Sequence, residues 1–256
     1  MLHLKLRISP YIYPTGTEAK DADVMSLSKC SGHKGSGCTM QKPSGGNNPN
    51  DDIYIIRYKK NTYQMKKYRI ILASNSPRRK ELLAGLEREF EVRTLSGIDE
   101  SYPAELQGED IPMYIASKKA EAYRQTMAED ELIITADTIV YLDGSVLGKP
   151  SDEADAYRML KALSGRTHEV ITGVCIVTEE KTTAFAATSK VTFAELKDDE
   201  IQHYISTYHP LDKAGAYGIQ EWIGFIGVKG LEGSYFNVMG LPIQRLYEEL
   251  RNFLSD

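Results

Sequence analysis

Cysteine, tryptophan and long apolar runs are what this chain has least of, and each shortage closes off a class of protein. Three cysteines in 256 residues make no disulfide framework. Cys175, inside an apolar run, reads as a buried and inert thiol. No stretch approaches the roughly 18 apolar residues that a membrane-spanning helix requires. The opening MLHLKLRISPYIYP has no continuous apolar segment before a small-residue cleavage site, so a cytoplasmic location is expected. Positive charge is not in surplus either: a net charge of -5 argues against a general nucleic-acid or membrane-surface binder, and any basic cluster is a local feature. There is no G-x-x-x-x-G-K-[ST] loop, which disfavours a Walker-type ATPase, and no G-x-S-x-G elbow. No internal repeat is seen. With 41% hydrophobic and 26% charged residues, the chain suits a globular protein with a sizeable core.

Residues 1–64 differ in character from the rest of the chain. The part from 15 to 52 is rich in Gly, Ser, Lys, Asn and Pro and shows no sustained period, so a disordered extension is expected. Cys30, His33 and Cys38 match no zinc spacing and have no evident fourth ligand. Met65 leads straight into the first strand of a domain expected over 65–256, and is a candidate for the true start. From Arg69 onward strands and helices alternate, the pattern of an α/β domain with a largely covered sheet. Strands are expected near 69–72, 90–94, 131–142, 145–149, 169–178 and 183–195. Helices are expected from Ser76, over 112–127, from Ser151 with Ala154, Tyr157, Met159, Leu160 and Leu163 as core, over 198–207 and over 242–253. The glycine-rich reach 215–240 reads as tight turns and short strands.

The densest chemistry lies at 70–83. A strand ends in Ser74-Asn75-Ser76, then Ser76 is a good N-cap and Pro77 a good first helical residue, having no N–H to leave unpaired. Arg78, Arg79 and Lys80 crowd the positive end of the helix dipole, where each exposed cation costs about 0.3–1 kcal/mol. A bound phosphate or carboxylate would reverse that sign. A solvated basic helix start with no ligand accounts for the same residues.

Asp137 lies in a run whose neighbours should be buried, so it needs a cation, a metal or a hydrogen-bond network. Lys149 is a geometric candidate: a two-residue Asp143-Gly144 turn places it opposite Thr138, a three-residue loop opposite Asp137. Asp99 and Glu100 could supply oxygen ligands to Mg²⁺, or be solvated loop charges. Lys118 and Lys119 read by themselves as an ordinary helix surface. Two arginines at a helix start, returning lysines and scattered carboxylates together suit phosphoryl transfer, where catalysis is mostly charge placement and an activated water.

Six blocks in order, LASNSPRR (72–79), ADT (136–138), GKP (148–150), LSGRTH (163–168), DKAGAYGIQ (212–220) and MGLP (239–242), resemble the Maf family of nucleotide pyrophosphatases over nearly all of 69–254. The resemblance implies hydrolysis of a nucleoside triphosphate between its α- and β-phosphates with Mg²⁺ or Mn²⁺. It also implies a two-lobed α/β fold on a mixed twisted sheet and a homodimer. Carried over position by position, it makes Asp137 the catalytic carboxylate, as base or metal anchor, and Glu100 an acidic position near the metal. Ser74, Arg78, Arg79, Lys119 and Lys149 become phosphate-holding positions. Thr138 and Gln220, with Arg78, resemble the positions that mark preference for dTTP and UTP. The Gln220 amide can donate and accept at once, as a pyrimidine imide edge requires. One departure stands out: the family usually continues Gly-Ile-Gln with Gly, whereas Glu221-Trp222 follow here. Alternatives are a pyrophosphatase of the 7-methyl-GTP or ITP type, and a non-catalytic nucleotide-binding regulator of cell division or septum formation.

Overall fold

The structure, a computed structural model, describes the backbone of Cys38–Gln41 and Ile55–Tyr58 and residues 68–255. The chain divides into two units, Met1–Asn61 and Thr62–Asp256. In the first, β1 (Cys38–Gln41) pairs antiparallel with β2 (Ile55–Tyr58), Cys38 opposite Tyr58. The first of these strands falls in the region where no strand period is legible, because four residues are too few to set one. The rest of the expected extension, with Cys30, His33 and the Met65 start, lies outside the described residues.

The second unit is one mixed sheet of seven strands flanked by helices. In chain order it contains β3 (Arg69–Leu72), α1 (Pro77–Ala84), β4 (Phe90–Val92), α2 (Asp110–Arg124), β5 (Glu131–Leu142) and β6 (Ser145–Leu147). Next come α3 (Glu153–Leu163), β7 (Thr167–Val177), β8 (Thr182–Phe193) and α4 (Asp198–Tyr208). The chain closes through α5 (Trp222–Gly227), β9 (Val228–Glu232), α6 (Tyr235–Val238) and α7 (Ile243–Ser255). The sheet runs β4-β3-β5-β7-β8-β9, with β6 on the far half of β5. β3 is parallel to β4 and to β5, which is why a helix crosses over between each of those pairs; the other pairings are antiparallel.

Strand β5 organises the unit. Its even positions Leu132, Ile134 and Ala136 pack with α1 and α7, through Leu83, Leu246 and Leu250. Further along the same face, Val140 and Leu142 pack with α3 and α4, through Leu160, Leu163 and Ile201. Thr138 falls at the boundary of these two cores. The odd face carries α2: Ile133 packs with Ala116 and Ala120, and Ile139 with Ile111 and Ile115. Pro112 is accommodated in α2 because it lies in the first turn, where an N–H has no helical partner to lose.

The hairpin uses the two-residue turn: Leu142 faces Ser145, and Asp143 and Gly144 both have positive φ, at 49° and 80°. Two local readings need correction. Helix α3 is capped by Asp152, which accepts from the Asp155 N–H at 2.7 Å, so Ala156 is buried and Ala154 faces solvent. The reach 215–240 contains two helices, α5 and α6, each too short to set a readable period.

Cys175 is fully buried, and burial pushes its thiol up to about 11. His168 on β7 is also buried, its Nε2 2.7 Å from the Tyr217 hydroxyl and its ring edge-on to Phe193. Burial lowers this imidazole to about 4, so the folded state holds it neutral through a range in which the unfolded chain protonates it. Its contribution is therefore complete above about pH 6.5 and lost as pH falls towards 4, amounting to about 3 kcal/mol. Denaturant midpoints followed from pH 7 to pH 4 should show this decline in the wild type and a flatter profile in His168→Gln; parallel profiles would remove His168 as its source.

Candidate active site

Strand β3 ends at Leu72 and pairs with β5 only over 131–134, while β6 pairs with β5 over 140–142. Between them, residues 135–139 of β5 present an edge with no strand beside it among the described residues. The turn after β3, the start of α1, the 97–102 loop, α2 and the 212–220 segment surround this gap and enclose a cavity of about 790 Å³. Its position, beyond the carboxyl end of a parallel strand, is where α/β sheets commonly bind ligands. Ser74, Arg78, Arg79, Glu100, Lys119, Asp137, Thr138, Lys149 and Gln220 all line it.

The helix start forms as its residues dictate. Ser76 accepts from the Arg79 N–H, and the Ser74 hydroxyl accepts from the Ser76 N–H at 3.2 Å. The two arginines then diverge. Arg79 closes the gap in the sheet edge: its guanidinium donates to the carbonyls of Ala136 (2.9 Å) and Gly240 (2.7 Å) and to the Thr138 hydroxyl (3.0 Å). Burial weakens its hold on its proton and the nearby Asp137 carboxylate strengthens it, the first effect prevailing. Arg78 stays at the cavity wall, 3.2 Å from Asp212.

Thr138 is committed in the same brace. Thr172 donates its hydroxyl proton to the Asn237 carbonyl at 3.1 Å, so at the 2.9 Å contact between the two threonines Thr138 is the donor. Thr138 can then offer a ligand only an acceptor.

Asp137 and Lys119 are both mostly buried and meet at 2.8 Å. The same ammonium lies 2.9 Å from Glu100. Burial alone would raise the Glu100 carboxyl, but hydrogen bonding to Lys119 and the charges of Lys119, Lys149 and Arg79 hold it below its ordinary range. Lys149 follows β6, whose ladder with β5 ends at Leu147 opposite Val140, lines the cavity and acts on Glu100 through its charge. Reading Lys118 and Lys119 alike as helix surface is thus half right. Lys118 turns out to Asp99 at 2.8 Å, and that exposed carboxyl is held well below its usual value first by Lys118 and then by Ser101. Lys119, one residue on, turns in. Among the described residues no three His, Cys, Asp or Glu side chains form a ready metal cage; Asp137 and Glu100 are two carboxylates that share the Lys119 ammonium.

Glycine at 173 makes this pairing possible. It lies directly across the ladder from Asp137, and a Cβ there would come within 2.3 Å of the Pro112 backbone at the start of α2. Without a side chain at that point α2 settles onto the odd face of β5, where the Thr135 hydroxyl donates to the Ala116 carbonyl at 2.7 Å. The helix then delivers Lys119 two turns further along. A glycine inside a strand is a legible sign of close backbone approach.

The family of Maf-like proteins matches residues 69–253. The chain belongs to the Maf family. Its relatives include a protein of Phocaeicola vulgatus named dTTP/UTP pyrophosphatase, 66% identical over 187 residues that cover 73% of this chain and 97% of that one. Proteins of the same name from Parabacteroides distasonis and Bacteroides thetaiotaomicron are each 59% identical, over 74% and 73% of this chain and 98% and 97% of their own. A solved HAM1 protein of Coxiella burnetii overlaps 72% of the chain and 99% of its own at 15% identity, with a TM-score of 0.41, too low for an argument to rest on it.

Residue-based reading of this Maf-family chain missed Lys119 as the partner of Asp137, because helical periodicity does not say which of two adjacent lysines faces the sheet. It also missed Lys213, which lines the cavity within the 212–220 wall, and Tyr204 and Glu221, which hold that wall from behind through the Tyr204 hydroxyl and the Lys213 ammonium.

Gly173→Ala should lift α2 from the sheet, cost about 1–3 kcal/mol and weaken the Lys119–Asp137 contact. Thermal melts and turnover should fall together. A variant with wild-type melting and turnover would show that the close approach is not required.

Proposed function

We propose that this chain is a nucleoside triphosphate pyrophosphatase acting on dTTP and UTP, releasing the monophosphate and pyrophosphate. The observation that carries the reading is the Asp137–Lys119–Glu100 cluster, facing Arg78 and Lys149 across one cavity. It provides one oriented carboxylate beside cations spaced along the walls, the arrangement a triphosphate and an attacking water need. The names of the relatives agree with it.

Arg78, Lys149 and the Ser74–Ser76 turn hold the phosphate chain. Asp137, with one oxygen committed to Lys119, accepts a proton from water through the other. The water oxygen bonds to phosphorus at the α–β bridge, the bridging P–O bond breaks, and pyrophosphate departs with its charge met by the cationic wall. Arg79 acts from behind, fixing Thr138 and the β5 edge, and is a positioning residue more than a phosphate ligand. Asp137 and Glu100, two hard oxygen donors that leave most of a coordination shell to phosphate oxygens and water, fit Mg²⁺ or Mn²⁺. Such an ion bound between them and the substrate would supply further neutralisation of the leaving group. Gln220 reads the base: it lines the cavity, and its Oε1 takes no hydrogen bond from the described residues, which leaves it as an acceptor for the imide N–H of thymine or uracil. A homodimer, on the strength of the resemblance, and a cytoplasmic location, on the strength of the sequence expectation, complete the proposal. Among the described residues, no helix is long and apolar enough to cross a membrane.

Pyrophosphate release should be measured against dTTP, UTP, CTP, GTP, 7-methyl-GTP and ITP with Mg²⁺ or Mn²⁺. Release should favour dTTP and UTP, and Asp137→Asn should lower it by at least about 100-fold while leaving nucleotide binding within a few-fold. Activity mainly on 7-methyl-GTP or ITP would overturn the base assignment, and full activity in Asp137→Asn would remove that residue from the chemistry.

A further inference from the structure

The residue that departs from the family pattern has a definite place. Glu221 is the N-cap of α5 but makes no side-chain bond to its own helix. Its carboxylate turns inward instead: Oε2 accepts from the Tyr204 hydroxyl, and Oε1 lies 3.2 Å from the buried Lys213 ammonium. The Tyr204 oxygen also accepts from the Gly218 N–H at 3.0 Å. Gly218 and Glu221 are in turn the two ends of a tight turn, closed by the Glu221 N–H on the Gly218 carbonyl at 3.0 Å. One phenol therefore holds both ends of the turn that carries Gln220. The packing within the turn is close: a Cβ on Gly218 would come within 2.9 Å of both the Gln220 Nε2 and the Glu221 carboxyl carbon.

We infer that Tyr204 and Glu221 form a clamp that fixes the orientation of the Gln220 amide, making Glu221 a specificity-determining positioning residue for the pyrimidine base. The inference rests on the nucleotide reading of the cavity. Tyr204 is suited to the task because it is fully buried in the α3–α4 core and stacks on Tyr208 at 5.1 Å, so its hydroxyl is placed by a rigid ring. Burial first, and then the neighbouring Glu221 charge, keep its phenol protonated and therefore a donor to that carboxylate. Lys213 ties the clamp to the phosphate side: it also pairs with Asp212 at 2.8 Å, and Asp212 pairs with Arg78. A primary amide that could rotate would present either an oxygen or an NH₂ to the base edge. It would then accept the imide of thymine and the acceptor edge of cytosine almost equally. Held in one orientation, it separates them.

The test uses the full chain and its only tryptophan, Trp222, one residue beyond Glu221 and edge-on to His203 at 4.9 Å. Trp222 emission is titrated with dTTP and with CTP for the wild type, Glu221→Gln and Tyr204→Phe, and KM and kcat are measured for both nucleotides. Glu221→Gln keeps the shape and leaves Lys213 its Asp212 partner, whereas Tyr204→Phe keeps the ring and removes only the hydroxyl. Two variants that differ in what they disturb guard against loss of fold in either. If the clamp sets the amide, the preference for dTTP over CTP falls about five- to tenfold in both, as a change in KM and in binding with kcat little altered. A role confined to stability would weaken both nucleotides alike, and an unchanged dTTP-to-CTP ratio in the two variants overturns the inference. Binding with the wild-type preference but no pyrophosphate release from any nucleotide would count against the proposed reaction alone, because the Trp222 titration still measures the clamp.

Discussion

A carboxylate on the central strand of a covered sheet has lost most of its water, and the structure of this unit follows from how Asp137 is compensated. Its partner cannot come from the neighbouring strand, since the position across the ladder is Gly173. It comes from α2, which must lie close enough for a lysine to reach down onto the sheet. Removing one member of a buried pair commonly costs about 3–5 kcal/mol, because the charge left behind is unpaired and out of water. The pair is thus weak evidence of stability but strong evidence of a geometry under constraint. The bare strand at Gly173, the Thr135 bond to the Ala116 carbonyl and the apolar packing of Ile111, Ala116 and Ala120 all place α2. Glu100 shares the ammonium from a loop and remains half exposed, so one side of the cluster stays open to solvent and to substrate.

The other face of β5 solves a different problem. An interrupted sheet edge exposes backbone carbonyls that have to be satisfied. Arg79 takes the Ala136 carbonyl and at the same time reaches the Gly240 carbonyl, so the turn leading into α7 is bound to the strand that α1 also covers. Gly240 has φ of 109°, a conformation closed to most side chains, and this brings its backbone up to the guanidinium. The brace runs on through Thr138 and Thr172 to the Asn237 carbonyl. Two adjacent arginines that look alike in sequence therefore divide their labour: one completes the scaffold, and the other is left at the cavity wall.

Long, regular elements were legible from residue pattern alone. The apolar run and its hairpin turn mark β5 over 131–142 with the observed bounds, whereas the Asp-Gly pair leaves two return registers open, of which the structure takes the two-residue turn. The Ser76 cap and Pro77 mark the start of α1 because cap chemistry is local. What was not legible depends on contacts distant in sequence. The inward turn of Lys119 depends on a strand 18 residues away, and the Arg79 brace on a carbonyl 161 residues away. Helix α6 is set by its Ser234 cap, which accepts from the Asn237 N–H, and α5 by packing. A Cβ on Gly224 would come within 1.8 Å of the Ile219 carbonyl, so α5 can fold back against the preceding turn only with glycine there.

The two halves of the site are built on different cores, and this bears on how reaction and selectivity can vary separately. The charged cluster stands on β5 and α2, whereas the 212–220 wall is backed by α3 and α4 through Tyr204, Ile205 and Leu160. Both border β5 between Asp137 and Val140, next to the Ala136 carbonyl that Arg79 holds. On the proposed reading, a change behind the wall acts first on the Gly218–Glu221 turn, which Tyr204 holds directly, whereas Asp137 is held by Lys119 of α2. In that proposal Glu221 would act on the base edge of the substrate through Tyr204, while its Lys213 partner keeps the same turn in register with Asp212 and Arg78.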